Sequence, residues 1–201
     1  TSEMFGTLQG PAQSEKTPFQ PSSPYAAAKV YGHWAVVNYR NSYDMFTVSG
    51  ILFNHESPLR GVDFVTRKIT SGLAMIRAGQ ANCITLGNLN AERDWGHAAD
   101  YVHGMWLMLQ QDTADDYVLA TGEPHTVREF VDLAAQYAGF TLEWSGEGLE
   151  ERAFDKKSGE TVIKIDKKFY RPREVNSLTG DASKAKEKLN WRCEHNFEQL
   201  V

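Results

Sequence analysis

Apolar residues recur at helical spacing from Pro24 to about Asn41, where Ala27, Val30, Tyr31, Trp34 and Val37 make a stripe that predicts one buried helix face. Ser23 and Pro24 supply the N-cap and first helical residue of that segment. Met45 to Asn54 is a mostly apolar, β-rich run of the kind buried on both faces of a parallel sheet. A polar turn with Pro58 and Gly61 follows, and Phe64, Ile69, Leu73 and Ile76 then set a second helical stripe that ends at Gly79. Cys83 to Leu86 reads as a short strand. Residues 90–97 read as a loop entering a helix, in which Ala98, Tyr101, Val102, Met105, Leu107, Met108 and Leu109 bury much of the circumference. Tyr117 to Ala120 is a further strand, and Thr126 opens a helix through Phe130, Leu133, Ala134 and Tyr137 that Gly139 stops. Phe140 to Trp144 reads as a strand, residues 145–160 as a charged surface excursion, and Glu160 to Asp166 as an exposed strand. A last helix spans Ala182 to Leu189, with Trp191 packed after it. Residues 1–21, broken by Gly6, Gly10, Pro11, Pro18 and Pro21, hold no period and read as loop.

Strands alternating with helices predict an α/β fold with a parallel sheet. The first unit of such folds, a strand running into a glycine-rich phosphate turn, does not occur in the chain. Together with a first residue other than Met, this leads us to expect that a dinucleotide-binding portion lies upstream.

At 201 residues and 41% hydrophobic content, the chain can bury a sizeable core. The 26 acidic against 21 basic residues, with no long basic run, disfavour nucleic acid as a partner. Cys83 and Cys193 lack metal-ligand spacing, so no metal is expected. No apolar run reaches membrane-spanning length and no signal-peptide pattern opens the chain, so a cytoplasmic location is expected.

The candidate chemistry starts at Tyr25 and Lys29. Four residues apart, they share one helix face. In the first turn the positive end of the helix dipole and the Lys29 ammonium both favour phenolate over phenol, making Tyr25 a proton acceptor. Asn54-His55 ends the strongest strand, where ligands of open α/β sheets bind. The other histidines share no ligand spacing.

Thr1-Ser2-Glu3, Tyr25-x-x-x-Lys29, Leu52-Phe-Asn-His-Glu-Ser-Pro-Leu-Arg60, Arg93-Asp-Trp-Gly-His97 and Arg171-Pro-Arg-Glu174 stand in this order along the chain. The series resembles the GDP-mannose 4,6-dehydratase family of extended short-chain dehydrogenase/reductases, over essentially the whole chain. The resemblance implies the C-terminal part of an NAD(P)-binding Rossmann-type fold plus a smaller substrate-binding domain. Roughly residues 1–60 would complete the Rossmann-type sheet, and roughly 61–201 would mainly bind the GDP-sugar.

It also implies NADP as cofactor and GDP-mannose as substrate, with oxidation at C4, loss of water across C5 and C6, and hydride return to C6. By resemblance Tyr25 takes the O4 proton, Lys29 assists it and contacts the nicotinamide ribose, Thr1 bonds O4, and Glu3 serves C5 and C6. By the same resemblance Tyr25, His55 and Arg60 would contact NADP, Asn54 the sugar nucleotide, Arg93 and Arg171 its diphosphate through paired planar guanidinium donors, Glu174 the ribose or guanine, and Lys68 would lie near the nucleotide. The family usually has Thr where Arg173 stands and Asp where Asn176 stands. Its members are oligomers of identical chains.

Two alternatives stand beside this reading. One is another nucleotide-sugar epimerase or reductase of the superfamily, which Glu3 beside Thr1 disfavours. The other is a catalytically inactive GDP-sugar-binding or assembly fragment.

Overall fold

The computed structural model describes residues 1–6, 12–169 and 178–201. In chain order its elements are α1 (Pro24–Tyr43), β1 (Ser49–Leu52), β2 (Asn54–Glu56), α2 (Val65–Arg77), β3 (Ile84–Leu86), β4 (Glu92–His97), α3 (Ala98–Met108), β5 (Asp116–Leu119), β6 (Pro124–Thr126), α4 (Val127–Tyr137), β7 (Leu142–Ser145), β8 (Arg152–Asp155), β9 (Thr161–Ile165), α5 (Ser183–Leu189) and α6 (Phe197–Leu200). They form two compact units interleaved in sequence. The first comprises Thr1–Ser57, Arg93–Pro124 and Val175–Leu200, the second Pro58–Glu92 and His125–Glu174.

In the first unit β1 and β5 run parallel, Ser49 opposite Asp116 through Leu52 opposite Leu119. Alternation along the pair feeds two clusters. Ile51, Phe53, Val118 and Ala120 pack with Met4, Phe5 and Leu178, while Leu119 joins Tyr101, Met108, Tyr117, Ala185, Leu189 and Trp191. The strand pair is covered on both faces, each fully buried side chain contributing about 1.5–3 kcal/mol, but the apolar run from Met45 to Asn54 is buried only in part: Met45 and Phe46 are exposed and β1 begins at Ser49.

α1 begins as read, with Ser23 Oγ accepting from the Ala26 N–H at 3.1 Å and Pro24 in the first turn. Its buried face is not the expected stripe. Ala26 and His33 are buried, Val30 and Val37 half-buried, and Ala27, Tyr31 and Trp34 exposed. The reason is polar attachment. His33 Nδ1 lies 3.0 Å from Ser49 Oγ, the Arg40 guanidinium bonds Asp116 at 2.6 Å and the Thr47 carbonyl at 2.7 Å, and Thr47 Oγ1 donates to the Val36 carbonyl.

Residues 92–97 are also corrected: they form strand β4, parallel to β2, with Asn54 opposite Trp95 and His55 opposite Gly96. α3 then buries one face through Tyr101, Gly104 and Met108, leaving Val102, Trp106 and Leu109 exposed.

The second unit holds a four-stranded sheet in the order β3, β9, β8, β7. β3 pairs parallel with β9, and β8 pairs antiparallel with both β9 and β7. Two expectations fail here. β9 is an interior strand with Val162 and Ile163 buried, and the supposed surface excursion contains β8, whose inward positions are Ala153 and Asp155. A small residue and a carboxylate bonded to the Thr141 and Ser158 N–H groups give a strand no hydropathy signal. α2 and α4 complete the unit, α4 opened by a capping box between Thr126 and Glu129.

Candidate active site

The residues read as catalytic converge in the first unit. Thr1 caps a single 3-10 turn, Ser2–Phe5, its Oγ1 accepting from the Glu3 N–H at 3.4 Å. Met4 and Phe5 anchor that turn in the core, Phe5 against Phe19 and Phe53 with ring centroids 5.4 and 6.2 Å apart. Gly6 leaves the turn at φ 68°, where a Cβ would collide with the Gln20 carbonyl oxygen, so glycine is required. Ser2 is buried, which leaves Thr1 and Glu3, both half-buried, as the partly accessible side chains of the turn.

This turn packs against α1. The Thr1 nitrogen lies within electrostatic reach of both Lys29 and Glu3. Lys29 Nζ stands 5.5 Å from the Tyr25 ring centroid, and the Tyr25 side chain is 55% exposed. A phenol and an ammonium thus share an accessible helix face beside a carboxylate-bearing turn, the equipment for removing a proton from a bound hydroxyl.

Asn54 and His55 open β2 immediately after β1. His55 Nδ1 lies 2.8 Å from the Phe53 carbonyl oxygen, and its ring stacks on Tyr101 with centroids 4.8 Å apart. Because a carbonyl only accepts, Nδ1 carries the proton of this bond and Nε2 is the acceptor in the neutral ring. Burial first, then the charges of Asp94, Cys193 and Asp100, push the Tyr101 hydroxyl well above its ordinary value, so Tyr101 is a phenol with no role as a base.

Arg93 is half-buried on β4. Beside it Asp94, fully buried, closes a clasp that sequence reading passed over. Its Oδ1 accepts from the Thr121 N–H at 2.8 Å and the Thr121 hydroxyl at 2.6 Å, and its Oδ2 from the Gly122 and Gly180 N–H groups at 2.9 and 3.0 Å. Burial raises the proton affinity of this carboxyl and the four donors oppose the shift. In the sequence this clasp is marked only by a carboxylate between Arg93 and Trp95.

Two more of the expected residues lie in the second unit, each cation held on an aromatic ring. The Arg60 guanidinium carbon is 3.5 Å from the Phe64 centroid, and Lys68 Nζ is 3.5 Å from that of Phe169. Burial first, then the neighbouring Lys168 charge, lower the proton affinity of Lys68. Phe169 is a second residue the sequence did not single out. Arg171 and Glu174, and with them Arg173 and Asn176, lie outside the described residues.

The profile of a family described as GDP-mannose 4,6 dehydratase matches residues 1–201. A protein of Sinorhizobium fredii named GDP-mannose 4,6-dehydratase is 56% identical over the whole chain, and the human GDP-mannose 4,6 dehydratase is 54% identical. The chain spans 57% and 54% of their respective lengths, a little over half. Among solved structures, RMD from Pseudomonas aeruginosa complexed with NADPH superposes with a TM-score of 0.81 at 20% identity, over 98% of this chain and 61% of that one. A dTDP-glucose 4,6-dehydratase from Bacillus anthracis in complex with NAD gives 0.80 at 20% identity, over 100% and 57%. The fold is thus α/β, that of the C-terminal part of a Rossmann-type chain with its smaller second domain.

Proposed function

Since the chain belongs to the GDP-mannose 4,6-dehydratase family, we propose that the intact protein converts GDP-D-mannose to GDP-4-dehydro-6-deoxy-D-mannose and water, using NADP. The observation that carries the reading is the exposed Tyr25–Lys29 pair beside the Thr1–Glu3 turn. In this proposal NADP, when bound, supplies reversible hydride storage between C4 and C6 of the sugar.

The chain's own residues do the proton work. Tyr25 takes the O4 proton, with the Lys29 ammonium beside it on the same helix face, and Thr1 Oγ1 orients O4. Once C4 is a ketone the C5 proton is acidic, and Glu3 removes it and delivers a proton to the departing C6 hydroxyl. One carboxylate serves both carbons because they are adjacent, provided it is held in place. The buried flanks Ser2, Met4 and Phe5 provide that hold. An epimerase or reductase has no need of this carboxylate, which is why Glu3 beside Thr1 favours elimination over those reactions.

In the same reading roughly residues 1–60 complete a Rossmann-type sheet and roughly residues 61–201 mainly bind the GDP-sugar. His55, Arg60 and Lys29 contact NADP; Asn54, Lys68, Arg93, Arg171 and Glu174 contact GDP-mannose. The accessible lysine–tyrosine face and the donor-fixed His55 fit a nicotinamide ribose and ring. The 201 residues contain no glycine-rich phosphate turn, so alone they are expected to bind NADP weakly and to convert no GDP-mannose. The intact protein is proposed to be cytoplasmic and an oligomer of identical chains.

The test is Glu3→Gln in the intact protein. Product formation from GDP-mannose is expected to stop, while NADP affinity measured by fluorescence titration stays within about twofold. Near-normal product formation removes Glu3 from the mechanism and with it the assignment as a dehydratase site.

A further inference from the structure

His55 is held from three directions, one local and two from other elements. From the link between β1 and β2, the Phe53 carbonyl oxygen accepts from Nδ1 at 2.8 Å, fixing which nitrogen can accept. From α3, the Tyr101 ring stacks on the imidazole at 4.8 Å with 23° between planes. From β4, Gly96 stands directly opposite His55 in the ladder. A Cβ at Gly96 would collide with Tyr101 Cε2 and lie 2.9 Å from its hydroxyl oxygen, so the missing side chain is what admits the ring.

Tyr101 is 0% exposed, with Trp191 edge-on to its other side at 5.8 Å. Its hydroxyl oxygen makes no hydrogen bond among the described residues. A buried hydroxyl without a partner costs stability, and phenylalanine would spare that cost. The ring is therefore the part of Tyr101 that acts on His55.

We infer that Tyr101, admitted by Gly96, is a positioning residue that holds the His55 imidazole so that Nε2 is offered as a hydrogen-bond acceptor to a donor group of the nicotinamide cofactor. The inference rests on the proposed role of His55 and narrows it. A phosphate oxygen has no proton to give, so in the neutral ring Nε2 does not serve the pyrophosphate or the 2′-phosphate. The complementary groups on the cofactor are the carboxamide N–H and the ribose hydroxyls. The ribose is the group already proposed for Lys29, which leaves the carboxamide N–H as the donor to Nε2.

The experiment uses the intact protein and two probes, NADP and its 3-acetylpyridine analogue, in which a methyl ketone replaces the amide and the N–H donor is lost. Wild type is expected to bind the analogue roughly tenfold more weakly, the value of one buried hydrogen bond left unmade. His55→Phe and Tyr101→Leu should each weaken NADP by a similar factor and abolish the discrimination, with GDP-mannose affinity unchanged. Tyr101→Phe, which keeps the ring, should rescue both NADP affinity and discrimination.

Three results overturn the inference: wild type that does not discriminate, Tyr101→Leu that folds and still discriminates, or Tyr101→Leu that weakens both ligands equally. The first needs no variant, so misfolding of Tyr101→Leu does not protect the idea. If His55→Phe leaves NADP affinity unchanged, the broader assignment of His55 as a cofactor contact fails. If only the Tyr101 variants disagree, that assignment stands and the positioning role alone falls.

Discussion

Replacing Asp94 tests whether the clasp beneath Arg93 is structural in the way its bonds imply. In Asp94→Ala four donors lose their acceptor: the N–H groups of Thr121, Gly122 and Gly180 and the Thr121 hydroxyl. The hydroxyl can rotate to another acceptor, and the partly buried Thr121 and Gly122 groups can recruit water at about 1 kcal/mol each. Gly180 N–H is in a fully buried bond and bears a larger penalty of about 2 kcal/mol. The sum is about 4 kcal/mol, in the range reserved for breaking a buried polar network.

Asp94→Asn should cost less. Its amide oxygen can keep the Gly122 and Gly180 bonds while its NH2 donates to the Thr121 hydroxyl, leaving one donor–donor conflict at Thr121 N–H and a loss of about 2 kcal/mol. Urea unfolding of the intact protein, read as a midpoint shift at constant slope, measures both. An alanine variant within 1 kcal/mol of wild type, or an asparagine variant worse than alanine, would refute the reasoning.

Gly104 lies where a methyl group would come within 2.6 Å of Leu119 Cδ1 and 2.9 Å of Trp191 Nε1. Gly104→Ala should therefore destabilise by about 1 kcal/mol net, overpacking of about 2 kcal/mol exceeding the helix-propensity gain of about 1 kcal/mol, and thermal unfolding checks the sign. Lys68 holds its proton less firmly than an ordinary lysine at 10.5, from burial and then from Lys168. Its charge is present at low pH and is lost as pH rises through that lowered value. GDP affinity should then fall on the alkaline side before an ordinary lysine would titrate, and Lys68→Arg should remove that limb in a calorimetric pH series.

The parts of the fold legible in the sequence were those where periodicity and burial share a cause. Ile51 and Leu52 of β1 are apolar because each meets core on its own face of the strand, and the α1 start is written in Ser23-Pro24 because a cap must satisfy free N–H groups. Reading failed where polar contacts take over from apolar burial. α1 is attached through His33 and Arg40, so its aromatic residues mark the outer side. β8 turns Asp155 inward because local N–H groups satisfy the carboxylate. β4 looked like a loop because its residues Arg93, Asp94 and Gly96 carry no alternation, although each has a specific place. The same limit governs the candidate site: Tyr25 and Lys29 can be proposed from residue type and spacing and Glu3 from the family resemblance, whereas the contacts of Asp94, Tyr101 and Phe169 are ones that only the folded chain brings near.

The polar attachment of α1 has a geometric meaning for the tyrosine eight residues before His33. A helix held by a greasy stripe can roll on its axis at small cost, because apolar contact is non-directional. One held by an imidazole on Ser49 and a guanidinium on Asp116 cannot, since those bonds survive only within a narrow range of angles. The azimuth of Tyr25 and Lys29 is therefore keyed from further along the helix, like the bit of a key turned by its bow. Inserting a single residue between Lys29 and His33 would leave every side chain of the site in place along the sequence and swing the phenol about 100° around the helix axis.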